Sequence, residues 1–255
     1  LEEKIKTNDD FAILWNEFNN KKIEFSHSQK YDRKATRVTG SEVLKSIGES
    51  NRFILGGSAD LAASTKQIIS NSIYSHQNRS GQSIEFGIRE HAMAAVVNGI
   101  TLHSNLIGYG STFLVFSDYM RPSIRLASLM NLNSVYIFTH DSIYLGEDGP
   151  THQPIEQLAG LRAIPNLNVF RPADISETFE CWEIALKSKS TPSVIALSRQ
   201  KVPYINPNNS EKNKCQKGAY TVNITSHESN VTIVASGTEV DLALKVQEKL
   251  KENNI

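Results

Sequence analysis

Cysteine is scarce: two residues in 255 cannot build a disulfide framework. Cys181 falls in a helical pattern and Cys215 in a polar stretch, so a reducing compartment is the expectation, the cytoplasm first and a plastid second. No apolar run approaches membrane-spanning length, and the opening Leu1-Glu2-Glu3-Lys4-Ile5-Lys6 lacks the apolar core of a secretory signal. Charge of one sign is also missing. Lys and Arg number 27 and Asp and Glu 27, which removes the basic field that nucleic acid or an anionic membrane would need. The partner is expected to be a small molecule or another subunit. An apolar share of 39% supports one large core, or one domain and part of another.

Between Ile84 and Arg199 one arrangement repeats: a short apolar run ends in polar, chemistry-bearing residues, and a helical pattern follows. Ser83-Ile84-Glu85-Phe86 leads into Gly87-Ile88-Arg89-Glu90-His91, and Ser134 to Phe138 leads into the stretch from Thr139 to His152. Parallel sheets place ligands outside the carboxyl ends of their strands, so this ordering predicts one crevice fed from distant positions.

Punctuation divides the chain further. Thr39-Gly40-Ser41-Glu42 has capping-box spacing and predicts a helix stopping near Gly48, followed by a strand over Arg52-Phe53-Ile54-Leu55 that ends at Gly56-Gly57. Glu90 to Leu102 reads as helix, Asn105 to Tyr109 as strand and Asp118 to Leu132 as helix, with Pro122 placed in its first turn. Pro154 opens a helix to about Arg162, Asn168-Val169-Phe170 is a strand, Asp174 and Glu177 cap a helix to Lys187, and Ser193 to Leu197 is the last strand. Strands alternating with helices predict an α/β fold with a doubly wound, mostly parallel sheet.

Residues 1–34 read as an irregular incoming linker and 35–205 as the main domain. A polar linker follows over 206–217, and 218–255, with strand-like Ala219 to Ile224 and Val231 to Ala235 before a helix to about Lys251, reads as the start of a truncated second α/β domain.

The densest chemical signal runs from His140 to His152, with two histidines, three carboxylates, two glycines and a proline. A solvated loop whose acids cap helices is the bland reading. A metal-dependent hydrolase using His140, Asp148 and His152 is the sharp one, although an offset of twelve positions from one histidine to the next fits no short zinc spacing. Glu90 is second: an isolated carboxylate in a first turn merely complements the helix dipole, but the apolar Ala92 to Val97 predicts a buried helix whose start faces the crevice. Phe113, Phe116 and Tyr119, spaced by three, are ordinary core aromatics or a stacking platform for a flat ring.

Gly87-Ile88-Arg89-Glu90-His91-Ala92-Met93, Gly57-Ser58-Ala59-Asp60-Leu61, Thr139-His140-Asp141-Ser142-Ile143, Gly146 to Pro154, Arg171-Pro172-Ala173-Asp174 and Leu197-Ser198-Arg199-Gln200 together resemble transketolase, in its middle, pyrimidine-binding domain. The resemblance runs from about Ala35 to Pro203, and Gly218 onward resembles the beginning of the family's C-terminal domain. It implies transfer of a two-carbon ketol unit from a ketose phosphate to an aldose phosphate with thiamine diphosphate. By the same resemblance Glu90 hydrogen-bonds the pyrimidine ring nitrogen, favouring the imino tautomer that takes the thiazolium proton. Phe116, flanked by Phe113 and Tyr119, stacks on the ring. Arg37, Ser64, His140 and Arg199 surround the sugar phosphate, and Asp148 and His152 contact the groups near the bond cleaved, His152 joining Glu90 as catalytic. The family is homodimeric, each pyrimidine half-site meeting a diphosphate half-site of the other subunit.

Two departures stand out: Ala62-Ala63 replaces the usual Thr-Pro after Asp60-Leu61, which weakens the alignment at Ser64, and Tyr144 occupies a common glycine position and narrows its loop. The family's Gly-Asp-Gly motif, which holds diphosphate and Mg²⁺ or Ca²⁺, does not occur. No metal ligands are therefore expected in this chain, which reads as a fragment inactive alone. A non-catalytic dimerisation module is the remaining alternative.

Overall fold

A computed structural model describes residues 2–19, 33–205, 214–223 and 231–253 of the chain. Its elements are α1 (Glu2–Thr7), α2 (Asp9–Asn19), β1 (Lys34–Ala35), α3 (Thr36–Ser50), β2 (Ile54–Ser58), α4 (Ala62–Thr65), β3 (Ser83–Glu85), α5 (Glu90–His103), β4 (Ile107–Phe113), α6 (Ser117–Leu129), β5 (Val135–Thr139), α7 (Gln157–Arg162), β6 (Asn168–Phe170), α8 (Ile175–Lys187), β7 (Ser193–Leu197), β8 (Lys201–Val202) and α9 (Glu239–Glu252).

Six strands form one parallel sheet in the order β3-β2-β4-β5-β7-β6, with helices on both faces. The doubly wound α/β expectation holds. Its physical origin is visible in β5, where all five residues are buried and successive side chains point to opposite faces. Val135 and Ile137 pack with Val43, Leu44 and Ile47 of α3 and Trp182 of α8. Tyr136 and Phe138 pack with Met93 and Val97 of α5 and Met120 and Ile124 of α6. Burying one such side chain stabilises the fold by about 1.5–3 kcal/mol. Asn98 is a buried polar group that is satisfied: it donates to Ser123 O at 2.8 Å, and its side-chain oxygen accepts from Ser134 and Tyr136, tying α5 to both α6 and β5.

Several boundaries differ from expectation. α3 begins at Thr36, three residues before the capping-box pattern, because Thr36 is already anchored to Ser198: the Thr36 N–H donates to Ser198 Oγ at 3.1 Å and the Ser198 N–H to Thr36 Oγ1 at 2.7 Å. Gly56 and Gly57 lie inside β2, not after it. A Cβ on Gly56 would sit 1.9 Å from Tyr109 O and one on Gly57 1.8 Å from Ile84 O, so these glycines let three strands approach. β4 runs on through Gly110-Ser111-Thr112 to Phe113. Pro122 is inside α6, beyond its first turn, and α7 starts three residues after Pro154.

α5 is covered on one side only: Met93, Ala94, Val97 and Asn98 are buried, whereas Ala92, Ala95 and Val96 are exposed, since an apolar run this wide exceeds the face the sheet can cover. The N-terminal stretch expected to be irregular holds α1 and α2, with Phe18 edge-on to Phe53 at 5.3 Å. Residues 20–32 of that stretch lie outside the described residues. Within the 206–217 linker Lys214–Lys217 is a 3-10 turn, and the Cys215 N–H donates to the Glu180 carboxylate of α8 at 3.0 Å; residues 206–213 lie outside the described residues. Among the described residues of 219–223 and 231–235 there is no strand, while α9 appears where the amphipathic pattern put it. Residue 224 lies outside the described set.

The sheet's topology positions the site. From β2 the chain goes to edge strand β3, then crosses to β4 on the other flank of β2, and β4, β5 and β7 lie side by side. Their carboxyl ends deliver Phe113, His140 and Arg199.

Candidate active site

Phe113 closes β4, and the 3-10 turn Leu114–Phe116 brings the Phe116 ring parallel to it, centroids 6.1 Å apart and planes 14° apart. Tyr119 follows 6.3 Å from Phe116, tilted by 34° and 64% exposed. His140 leaves β5 in the left-handed conformation, φ 58°, and its buried ring lies over Phe113 at 3.7 Å. That conformation costs a non-glycine residue roughly 1–3 kcal/mol and persists only where the surroundings enforce it. His140 Nδ1 shares a 2.8 Å hydrogen bond with Thr139 Oγ1. His152 meets Phe116 edge-on at 5.5 Å and Phe113 at 6.1 Å, its Nδ1 sharing a 2.9 Å bond with Thr151 Oγ1.

Arg37, in the first turn of α3, donates to Ser64 O at 2.5 Å, and Gln67 Nε2 donates to Arg37 O at 2.8 Å. Its buried Nε has no hydrogen-bond partner among the described residues. Burial, and then the Arg199 guanidinium, lower the Arg37 pKa. His140 is pushed down to about 4, by burial first and then by Arg37 and Arg199, with Asp148 opposing. At neutral pH the imidazole is therefore uncharged beside two guanidiniums. Two like charges drawn together with an open donor form a site for an anion with several oxygens. Gly146, at φ 114°, lies against Arg199: a Cβ there would be 3.5 Å from Arg199 Nη1, so the loop carrying Asp148 closes over that arginine.

The structure thus brings together Arg37, Phe113, Phe116, His140, Asp148, His152 and Arg199, with Ser64 joined through its carbonyl and Tyr119 through Phe116. Glu90 is tied to them by topology alone. It opens α5 just after β3, whose Glu85 is level with Ser58 of β2, which in turn is level with Ser111 of β4, two residues before Phe113. Among the described residues no hydrogen bond or ring contact joins Glu90 to the cluster. Gly87, at φ 65°, makes the turn before it, and Arg89 donates to Phe86 O at 3.1 Å.

Tyr144, expected to narrow its loop, is 58% exposed. Among the described residues no three His, Cys, Asp or Glu side chains come together as a cation site, which leaves the hydrolase reading of His140, Asp148 and His152 without a ligand set.

Arg171 and Asp141 stand inside motifs of the sequence that carry no expected role for either residue. Arg171, just past β6, donates from Nε to Asp141 Oδ2 at 2.8 Å and from Nη1 to Ser236 O at 2.9 Å, and pairs with Glu239. The available signal was position: Arg171 follows its strand as Arg199 follows β7.

By fold and site the chain is an open α/β domain with an aromatic pair beside two neighbouring guanidiniums at one end of its parallel sheet. The family model described as transketolase, pyrimidine binding domain, matches residues 32–204. The transketolase of Sinorhizobium medicae is 49% identical over 231 residues, covering 90% of this chain and 33% of that protein. The crystal structure of Campylobacter jejuni transketolase superposes with a TM-score of 0.89 at 38% identity, covering 99% of this chain and 39% of that one. A structure described as a split gene transketolase, inactive beta4 tetramer, superposes with a TM-score of 0.68 at 28% identity, covering 88% of this chain and 69% of that one. The chain belongs to the transketolase family, and it spans about a third of the length of the curated relatives it matches.

Proposed function

We propose that this chain supplies the pyrimidine-binding half of an active site that transfers a two-carbon ketol unit from a ketose phosphate to an aldose phosphate with thiamine diphosphate. The observation that carries the reading is the pairing of the Phe113–Phe116 platform with Arg37, Arg199 and an uncharged His140 at one sheet end. These residues fit the pyrimidine ring: Phe116 is half-buried with one stacked neighbour, and no hydrogen bond or ion pair among the described residues occupies the Glu90 carboxylate. Among the described residues no three His, Cys, Asp or Glu side chains come together to hold a metal ion. Mg²⁺ or Ca²⁺ and its ligands belong, on this reading, to a diphosphate-binding domain elsewhere.

When bound, the cofactor supplies the electron sink that lets a carbon–carbon bond beside a carbonyl break. Glu90 hydrogen-bonds the pyrimidine nitrogen and sets which ring nitrogen carries the proton. Arg37 and Arg199 hold the sugar phosphate by charge-assisted bonds, with Ser64 and neutral His140 completing that end. Asp148 and His152 orient the hydroxyls and carbonyl near the reacting bond, and His152 moves a proton there. Tyr119 flanks the platform.

A homodimer completes the reading. α5 and α6 pack together and leave Val96, Leu102, Leu126, Leu129 and Met130 exposed by 46%, 59%, 51%, 61% and 45%, an apolar surface suited to a second copy. Residues 35–205 form the functional unit and 218–255 begin a further domain. No described helix is long and apolar enough to cross a membrane. A cytoplasmic home is part of the proposal.

The test compares the 255-residue chain with the whole enzyme containing it. The whole enzyme should convert ketose and aldose phosphates, and the chain alone should not; calorimetry of the chain with thiamine diphosphate and Mg²⁺ should give an affinity on the order of millimolar, since one stacked and hydrogen-bonded ring must offset the entropy of binding. Micromolar, metal-dependent binding by the chain, or a whole enzyme inert toward sugar phosphates, would overturn the reading.

A further inference from the structure

His140 is followed by a carboxylate that the proposed chemistry does not use. Asp141 is 3% exposed; its Oδ2 accepts from Arg171, and its Oδ1 has no partner among the described residues. Burial raises its pKa, and the neighbouring Arg171 opposes that rise. A buried pair held by one hydrogen bond is a poor stabiliser, because the desolvation of two charges offsets most of their attraction. Its value is therefore sought in what it fixes.

Arg171 grips on two sides. Nε holds the residue after His140, while Nη1 holds Ser236 O at 2.9 Å and the Glu239 carboxylate at the first turn of α9. Gly237, at φ 61°, lies so close that a Cβ would be 2.8 Å from Arg171 Nε, so only glycine lets this segment seat on the guanidinium. His140 itself needs such a hold, since its left-handed backbone is costly and its ring must stay flat on Phe113 beside Arg37 and Arg199.

We infer that Arg171 is a positioning residue for the phosphate end of the crevice: through Asp141 it holds the strained backbone of His140, and through Ser236 and Glu239 it makes that hold depend on the seating of residues 236–252. The inference rests on the proposed reading of Arg37, His140 and Arg199 as phosphate ligands. It adds a remote control on them, from a segment that touches no substrate.

In the whole enzyme, Arg171→Met should raise KM for a ketose phosphate about tenfold with kcat within about threefold, the signature of lost ground-state binding. On a His140→Ala background the same substitution should add less than about twofold, because both act through one group. Arg171→Lys, which keeps the charge but not the fork, should recover part of the loss. Full additivity with His140→Ala, or an unchanged KM with only a lowered melting temperature, would make Arg171 a structural pin and overturn the inference. Should Arg171→Met fail to fold, Glu239→Gln, which weakens the outer grip alone, should still raise KM by about threefold; an unchanged KM overturns the dependence on the seated segment. If the unaltered enzyme proves inert toward sugar phosphates, the proposed function fails first, and the clamp is then judged by the His140 imidazole proton signals of the 255-residue chain. Those signals should move in Arg171→Met, and identical spectra would sink the clamp.

Discussion

Residues 33–205 and residues 214–253 are written in the same amino-acid alphabet and end in different states. In β5 every residue is buried, and each edge of the strand is paired, to β4 on one side and β7 on the other. In the later stretch Val231, Ile233 and Val234 are 52%, 41% and 89% exposed, and α9 has an amphipathic pattern but no buried residue. A β-branched run becomes a strand only where neighbours take its N–H and C=O groups, so the same local signal succeeds in one region and lapses in the other. The later segment is held instead at a few polar points, Arg171 on Ser236 and Glu239, and Tyr220 on Glu177.

The sharpest way to break this comparison is a pair of truncations in the 255-residue chain. Phe138→Ala, at a side chain with no exposure, should cost about 3–5 kcal/mol in urea unfolding, whereas Val234→Ala should stay within about 0.5 kcal/mol. Comparable costs would show that the later segment is packed as tightly as the sheet. Chemistry should divide the molecule in the same way. In the whole enzyme Glu90→Ala should lower turnover by at least about two orders of magnitude, while Glu248→Ala, on an exposed position of α9, should leave it unchanged. Near-normal turnover of Glu90→Ala at saturating cofactor would remove that residue from the mechanism.

Within the crevice the contrast is between holding and reacting. Arg199→Ala should mainly raise KM for phosphorylated substrates, by the equivalent of roughly 1.5–3 kcal/mol, whereas His152→Ala should lower kcat. Equal effects of Arg199→Ala on phosphorylated and unphosphorylated acceptors would show that it does not hold the phosphate. The smallest effect is on pH dependence. His140 titrates near 4 when folded against an ordinary 6.5, so the unfolded chain takes up a proton first and stability falls as pH drops from about 6.5 toward 4. After allowance for solvent screening that slope is worth about 1–2 kcal/mol. Denaturation across this window should show a flatter dependence for His140→Gln than for the unaltered chain; parallel curves would mean His140 is not held neutral.

The six parallel strands were legible because buried strands are short, apolar and separated by helical periods, and the helices between them start or stop within a few residues of the expected bounds. The Asp174 cap is a clear instance, its carboxylate accepting from the Glu177 N–H at 2.9 Å. Strand ends at Gly56 and Gly110 were misplaced, since glycine reads as a turn locally and only the neighbouring Tyr109, Ile84 and Met93 explain it within a strand. Half of α5 was misjudged because an apolar residue on an exposed face is spelled like one facing a core. At the site, Phe113, His140 and Arg199 stood at strand ends where parallel topology predicts ligands. Arg171 and Asp141 escaped because their significance lies in a contact across 30 residues and another across 68, which no local pattern encodes.

One quiet feature bears on how such a piece of protein travels. Thr36 and Ser198 exchange hydrogen bonds across 162 positions of sequence, and the short ribbon of β1 with β8 pairs Lys34 with Val202 beside them. The way in and the way out of the sheet unit therefore share one doorway. A unit with adjoining ends can be spliced into a longer chain, or cut free to be made from its own reading frame, without opening its core. Circular permutation that joins 34 to 202 through a short linker is the engineering form of that freedom.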